Sequence, residues 1–191
     1  MVSDGVLAIT GIWVFLTYFQ HLSWYNRLLW GFFFLTISMT SLIGVLTYAG
    51  VQSFAPLHHS LEILAGSLGV VCVVVGVWTL ILRQAVSRLT FMTTVGLGLI
   101  LFVTLLSPEM EVFAPIVPSF SMVIVMLIAF LGLLRRDPRA SWIIFGVMIL
   151  ALSTKIKAGD LPIHPVDFYH YILALAFVFF GKAARGPVQR A

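Results

Sequence analysis

The sequence predicts an all-α fold, a single domain of seven transmembrane helices over residues 1–191, N-terminus outside and C-terminus inside. Three observations predict it. Hydrophobic residues make up 61% of the chain and charged residues only 9%, against roughly 25% charged in a soluble domain. Seven apolar stretches approach the length that crosses a bilayer, about 20 residues. The basic residues, finally, fall almost entirely in alternate connections between those stretches.

In chain order, the first stretch runs from Val6 to Tyr18, extending to Leu22, and is the shortest and most polar. The second covers Leu28 to Tyr48. The third runs from Leu57 to Leu82 and is long enough to tilt. Leu89 to Leu106 forms the fourth and Phe120 to Leu134 the fifth. Trp142 to Leu152 begins the sixth, and Phe168 to Phe180 makes most of the seventh. No polar segment between them is long enough to fold alone. No cleavable leader is expected either, because the first stretch lacks a basic n-region and a small-residue cleavage site.

Loop charge tests the count. With the N-terminus outside, the inner connections and tail hold Arg27, Arg83, Arg88, Arg135, Arg136, Arg139, Lys182, Arg185 and Arg190. Those are nine of the eleven basic residues; only Lys155 and Lys157 fall outside, beside Glu109, Glu111 and Asp160. This is the positive-inside pattern. The sequence pI near 9.6 therefore reports topology rather than nucleic-acid binding. A bacterial inner membrane is the expected location.

Trp24, Tyr25, Trp30 and Trp142 lie near the inner ends and are expected in an interfacial aromatic belt. Glycine spacings at Gly66, Gly69, Gly96 and Gly98 suit close helix packing. Cys72, alone and mid-span, is a small apolar filler. Ser38 and Ser41 sit within the second span without a nucleophile elbow, and no span carries an arginine series or a chain of acids.

The polar residues gather at the outer side. Gly159 to His170 contains two of the five histidines and two of the seven acids. Pro165 fits a first helical turn, and Asp167 and His170, three apart, share a helix face. Pro56-Leu57-His58-His59-Ser60-Leu61-Glu62 opens the third span on the same side, where either histidine can meet Glu62. Ionisable groups at a membrane helix are functional candidates. His170, His58, His59 and His164 are candidate ligands for zinc, with Asp167 and Glu62 as candidate bases or positioning groups. Axial haem ligation by histidines is a weaker alternative. Structural roles stand beside these: Glu62 and Asp167 favour a helix start through its dipole, and His164 before proline suits a cap.

The seven-helix pattern, with Asp167-Phe168-Tyr169-His170 opening the last span and Gly181-Lys182-Ala183-Ala184-Arg185 closing it, resembles the CREST superfamily. That group includes alkaline ceramidases and progestin/adiponectin-type receptors. Gly44 to Gly50 and Leu64-Ala65-Gly66 are similar in shape to its second-to-third-helix region. In ceramidase-like members the resemblance implies zinc on three histidines, with a nearby Ser and Asp, hydrolysing a lipid amide. His170 matches the second histidine of the last-helix pair, but the first falls at Val166, which cannot ligate. Tyr48 and Ala49 stand where the second-helix histidine belongs, leaving His58 or His59 to substitute.

The leading expectation is therefore a non-catalytic accessory or scaffold subunit, packed against the lipid bilayer and other membrane protein subunits. The alternative is a zinc-dependent hydrolase of lipid amides or esters. A receptor or sensor with an outer-facing pocket is the third reading. A cavity ringed by the candidate side chains favours enzyme or receptor; side chains scattered over loops favour a scaffold.

Overall fold

The computed structural model describes residues 2–153 and 164–185; Lys155, Lys157, Asp160 and the tail from residue 186 lie outside the described residues. Those described are helical, with no strand among them. Helix α1 spans Val2–Tyr18 and α2 Trp24–Tyr48. The third predicted span is one rod in three pieces: α3 (Ala55–Leu64), a π-turn (Ala65–Gly69) and α4 (Val70–Leu82). Helices α5 (Arg88–Leu105), α6 (Ile116–Leu134), α7 (Pro138–Ser153) and α8 (Pro165–Arg185) follow.

Five of these rods are long and apolar enough to cross a membrane: Trp24–Tyr48, Gln52–Leu82, Arg88–Leu105, Glu111–Leu134 and Pro165–Arg185. The remaining two, α1 and α7, are apolar but shorter. At 1.5 Å per residue, a 17-residue helix such as α1 reaches roughly 25 Å, a little under the hydrocarbon thickness of about 30 Å.

The helices close a ring. Helix α1 packs on α2, α2 on α4, α4 on α6, α6 on α7, α7 on α8, and α8 on α1 again. Helix α5 stands outside it, held against the π-turn and α4. Glycine permits that contact: a Cβ on Gly98 would lie 2.9 Å from the Cα of Leu68. Gly96, by contrast, has nothing within 4 Å and faces away from the bundle.

Side-chain ties show that alternate connections share an end. At one end Asn26 bridges to the α4–α5 turn, donating to the Gln84 carbonyl (3.0 Å) and accepting from the Val86 amide (2.7 Å). Arg139 reaches the Leu80 carbonyl (2.9 Å), and Asp137 faces Arg83 (3.6 Å). His21 approaches the Ala184 carbonyl, and Arg185 lies over the Tyr18 ring. This is the basic end. Candidate polar groups collect at the other.

The ring's interior is filled toward the basic end by Phe19, Trp30, Phe33, Phe34, Phe177 and Phe180, all fully buried or nearly so. Their rings meet at 4.7 Å (Phe34–Phe177) and 4.8 Å (Phe19–Trp30). In lipid such contacts hold helices together by packing rather than by water exclusion. Trp30 accordingly corrects the expected belt: it points inward and is wholly buried. Trp24 and Trp142 instead lie on the outer surface, under Arg27 and Lys182 respectively, each 4.7 Å from the ring. Cys72 is fully buried, as an apolar filler should be.

Candidate functional site

The start of α8 supplies three of the candidates. His164 caps it, its Nδ1 accepting from the Val166 amide at 3.3 Å. Asp167 and His170 follow on one face and both turn toward α1. Ser3 Oγ donates a hydrogen bond to Asp167 Oδ1. His170 Nδ1 lies 3.3 Å from Ser3 Oγ and 3.3 Å from Asp4 Oδ1. Ser3 and Asp4 are almost wholly buried, at 1% and 3% exposure, whereas Asp167 and His170 are half-buried.

Helix α3 supplies the second arm. His58 and Glu62 pair across one turn at 3.7 Å, as their spacing predicts. His58 also packs edge-on against Tyr48. Gly44 of α2 lets the two arms converge. A Cβ there would stand 3.0 Å from His58 Nε2 and 3.2 Å from Asp4 Oδ1. Both groups thus crowd the same bare patch of α2 backbone, where Asp4 also meets His170.

His59 does not join them. It turns outward to Glu111 at 3.4 Å, with both side chains about half exposed. Of the four candidate metal ligands, then, two converge and two serve elsewhere. Among the described residues no group of three or more His, Cys, Asp or Glu is arranged to hold a metal ion. Of the histidines offered for the three-histidine set, His58 and His170 approach the same patch of α2, while His59 and His164 have other partners.

Below the cluster lies a cavity of about 280 Å³ inside the ring. Thr40, Ser41, Glu62, Tyr169 and His170 line its polar part; Leu7, Phe33, Ile37 and Leu173 line its apolar part. Gly66, within the π-turn, also borders it. π-Turns recur at functional sites, where the extra residue displaces backbone from the regular ladder. A second hollow, about 400 Å³, lies between α6 and α7 and shares Pro118, Met122, Leu150 and Tyr169 with the first. The two helices touch near their short turn, where a Cβ on Gly132 would be 3.0 Å from that of Ala140. The hollow lies along their other halves, bordered by Val123 and Leu127, whose side chains are exposed on the apolar outer surface.

The sequence reading missed Ser3, Asp4 and Gly44. The one signal was an acid just ahead of an apolar stretch: Asp4 lies where the first span begins, at the same end as His170.

A family model described as a family of unknown function (DUF6962) matches residues 1–188. The chain belongs to DUF6962. No curated protein and no solved structure matches it. The DUF6962 match covers both arms of the cluster and every helix described above.

Proposed function

We propose that this DUF6962 chain is a seven-span membrane protein that binds a small amphipathic ligand in the cavity within its helical ring. The observation that carries this is the cavity itself, with polar side chains at one end, aromatic and aliphatic ones at the other. Ligand sites are typically concave and mostly apolar, with a few convergent polar groups. The adjoining hollow between α6 and α7 borders the lipid-facing surface, which suits a ligand dissolved in the bilayer.

The finer topology rests on packing and charge. Helices α1 and α7 are short, yet each is flanked on both sides by helices of spanning length, α1 by α2 and α8, α7 by α6 and α8. Positive charge at the basic end supports a cytoplasmic position for that end, with the polar cluster and N-terminus on the opposite face of a bacterial inner membrane.

The accessory-subunit alternative rests on apolar outer surface, chiefly α5, which acyl chains cover equally well. A hydrolase reading finds support in one pair, Asp4 and His170: a carboxylate that orients an imidazole over a cavity is the arrangement of a general base.

The test uses Gly66→Leu. A Cβ at Gly66 meets only Pro118 Cγ, at an ordinary 3.5 Å, so the added side chain fills cavity rather than clashing. Small molecules carried by the purified protein would be identified by native mass spectrometry and extraction. A bound amphiphile present in wild type and lost in a folded Gly66→Leu supports the reading. An empty wild type after reconstitution with lipid extract, or undiminished binding in the variant, rejects it.

A further inference from the structure

We infer that the polar end of this cavity accepts hydrogen bonds, and so selects a ligand whose head group carries O–H or N–H donors. The inference rests on the binding reading above and deepens it. It follows from where the protons of the cluster are committed.

Ser3 Oγ gives its proton to the Asp167 carboxylate. What Ser3 turns toward His170 Nδ1 is therefore a lone pair. The other group at Nδ1 is the Asp4 carboxylate, 3.3 Å away and also an acceptor. An imidazole nitrogen flanked by two acceptors carries the proton. In the neutral ring Nε2 is then the acceptor, and it lies on the side of the ring away from Ser3 and Asp4. His170 borders the cavity, so with Nδ1 occupied its Nε2 is the ring acceptor left for a ligand head.

The neighbouring groups agree. Thr40 donates its hydroxyl proton to the Thr36 carbonyl at 2.9 Å, leaving oxygen lone pairs. Glu62, when ionised, has only acceptors. The Ser41 and Tyr169 hydroxyls rotate to match either partner. Among the described residues no lysine or arginine lines the cavity. A head with donors satisfies the His170 and Thr40 acceptors; an ester or carboxylate head leaves those two unpaired, which is costly in a low-dielectric site.

Two measurements test this, and they fail independently. The first is the nitrogen-15 NMR signature of His170 in lipid nanodiscs at neutral pH, assigned by its loss in His170→Gln. A proton on Nδ1 and a bare Nε2 are expected. A proton on Nε2, or on both nitrogens, overturns the inference. Asp4→Asn, combined with Ser3→Ala, should scramble the tautomer without emptying the bundle.

The second compares dodecanol, methyl dodecanoate and dodecanoate as probes in the same nanodiscs, read as ligand-dependent thermal stabilisation. The alcohol should bind about tenfold tighter than either of the others, the value of one well-placed hydrogen bond. Equal or reversed ranking overturns the selectivity while leaving the cavity reading intact. If none of the three binds although His170 carries its proton on Nδ1, the cavity reading fails and takes this ligand class with it.

Discussion

His170 Nδ1 and Asp4 Oδ1 meet at 3.3 Å, joining the first turn of the first helix to the second turn of the last. The contact closes the ring at its polar end, as Arg185 over Tyr18 closes the same helix pair at its basic end. The Asp4 side chain is 4% exposed and that of His170 18%, so removing the carboxylate takes away a contact largely shielded from water. Asp4→Ala should therefore lower stability by about 1–3 kcal/mol. Glu62→Ala, at a side chain 54% exposed, should cost much less. Thermal unfolding in matched detergent checks the ranking, and equal losses would place the Asp4 contact outside the folded core's support.

Gly44 is the point where α1, α2 and α3 come together. Its bare Cα admits both His58 and Asp4, so any side chain must displace one of them. Gly44→Ala pushes a Cβ to 3.0 Å from the imidazole, a contact that a few tenths of an ångström of movement relieves. Gly44→Val asks for more room than either partner can give, and overpacking of this kind costs about 1–3 kcal/mol. The valine variant should lose amphiphile binding outright, while alanine should weaken it severalfold. Binding titrations on both variants decide this.

Much of the architecture was legible because it is written locally. Apolar run lengths located every rod, and the four-residue spacing of His58 and Glu62 is enough by itself to put that pair on one helix face. His164 likewise behaves as a cap because Pro165 follows it. What could not be read is non-local. Nothing near Ser3 or Asp4 in the chain announces that Asp167 and His170 lie beside them. Trp30 differs for a related reason: its place near the inner end of the span suggested an interface. Its helical phase, shared with Phe33 and Phe34, instead turns it into the core. His59 and His58 are adjacent, so helix geometry must send them about 100° apart, and only one of them could have faced the cluster.

The donor set also speaks to zinc. With His59 held by Glu111 and His164 spent on a cap, His58 and His170 stand alone as imidazoles near Asp4. Tetrahedral zinc takes three or four protein ligands in close, regular array. Purified protein should therefore carry well below one zinc per chain by plasma mass spectrometry. Stoichiometric metal lost in His170→Ala but kept in His59→Ala would overturn this and revive a hydrolase built on His58, Asp4 and His170.

The seam between α5 and the ring offers a paired test of packing. Gly98→Ala drives a Cβ to 2.9 Å from the Leu68 Cα. Backbone on both sides cannot retreat as a flexible side chain could, so α5 must shift away from the π-turn. The expected cost is about 1–3 kcal/mol. Gly96→Ala, two residues away on the same helix, meets nothing within 4 Å and gains the better helix propensity of alanine, up to about 1 kcal/mol. The two variants should thus move the unfolding midpoint in opposite directions.

Orientation can be settled with the chain's own silent background. Cys72 is the single cysteine and is fully buried, so the wild type should resist a membrane-impermeant maleimide. Glu109→Cys lies on the exposed α5–α6 connection at the polar end, and Arg135→Cys on the α6–α7 turn at the basic end. In intact cells or right-side-out vesicles, Glu109→Cys should label and Arg135→Cys should not until the membrane is opened. The reverse pattern would invert the protein and make the cavity's polar end cytoplasmic. Labelling of both from one side would break the alternation of ends on which the seven-span reading depends.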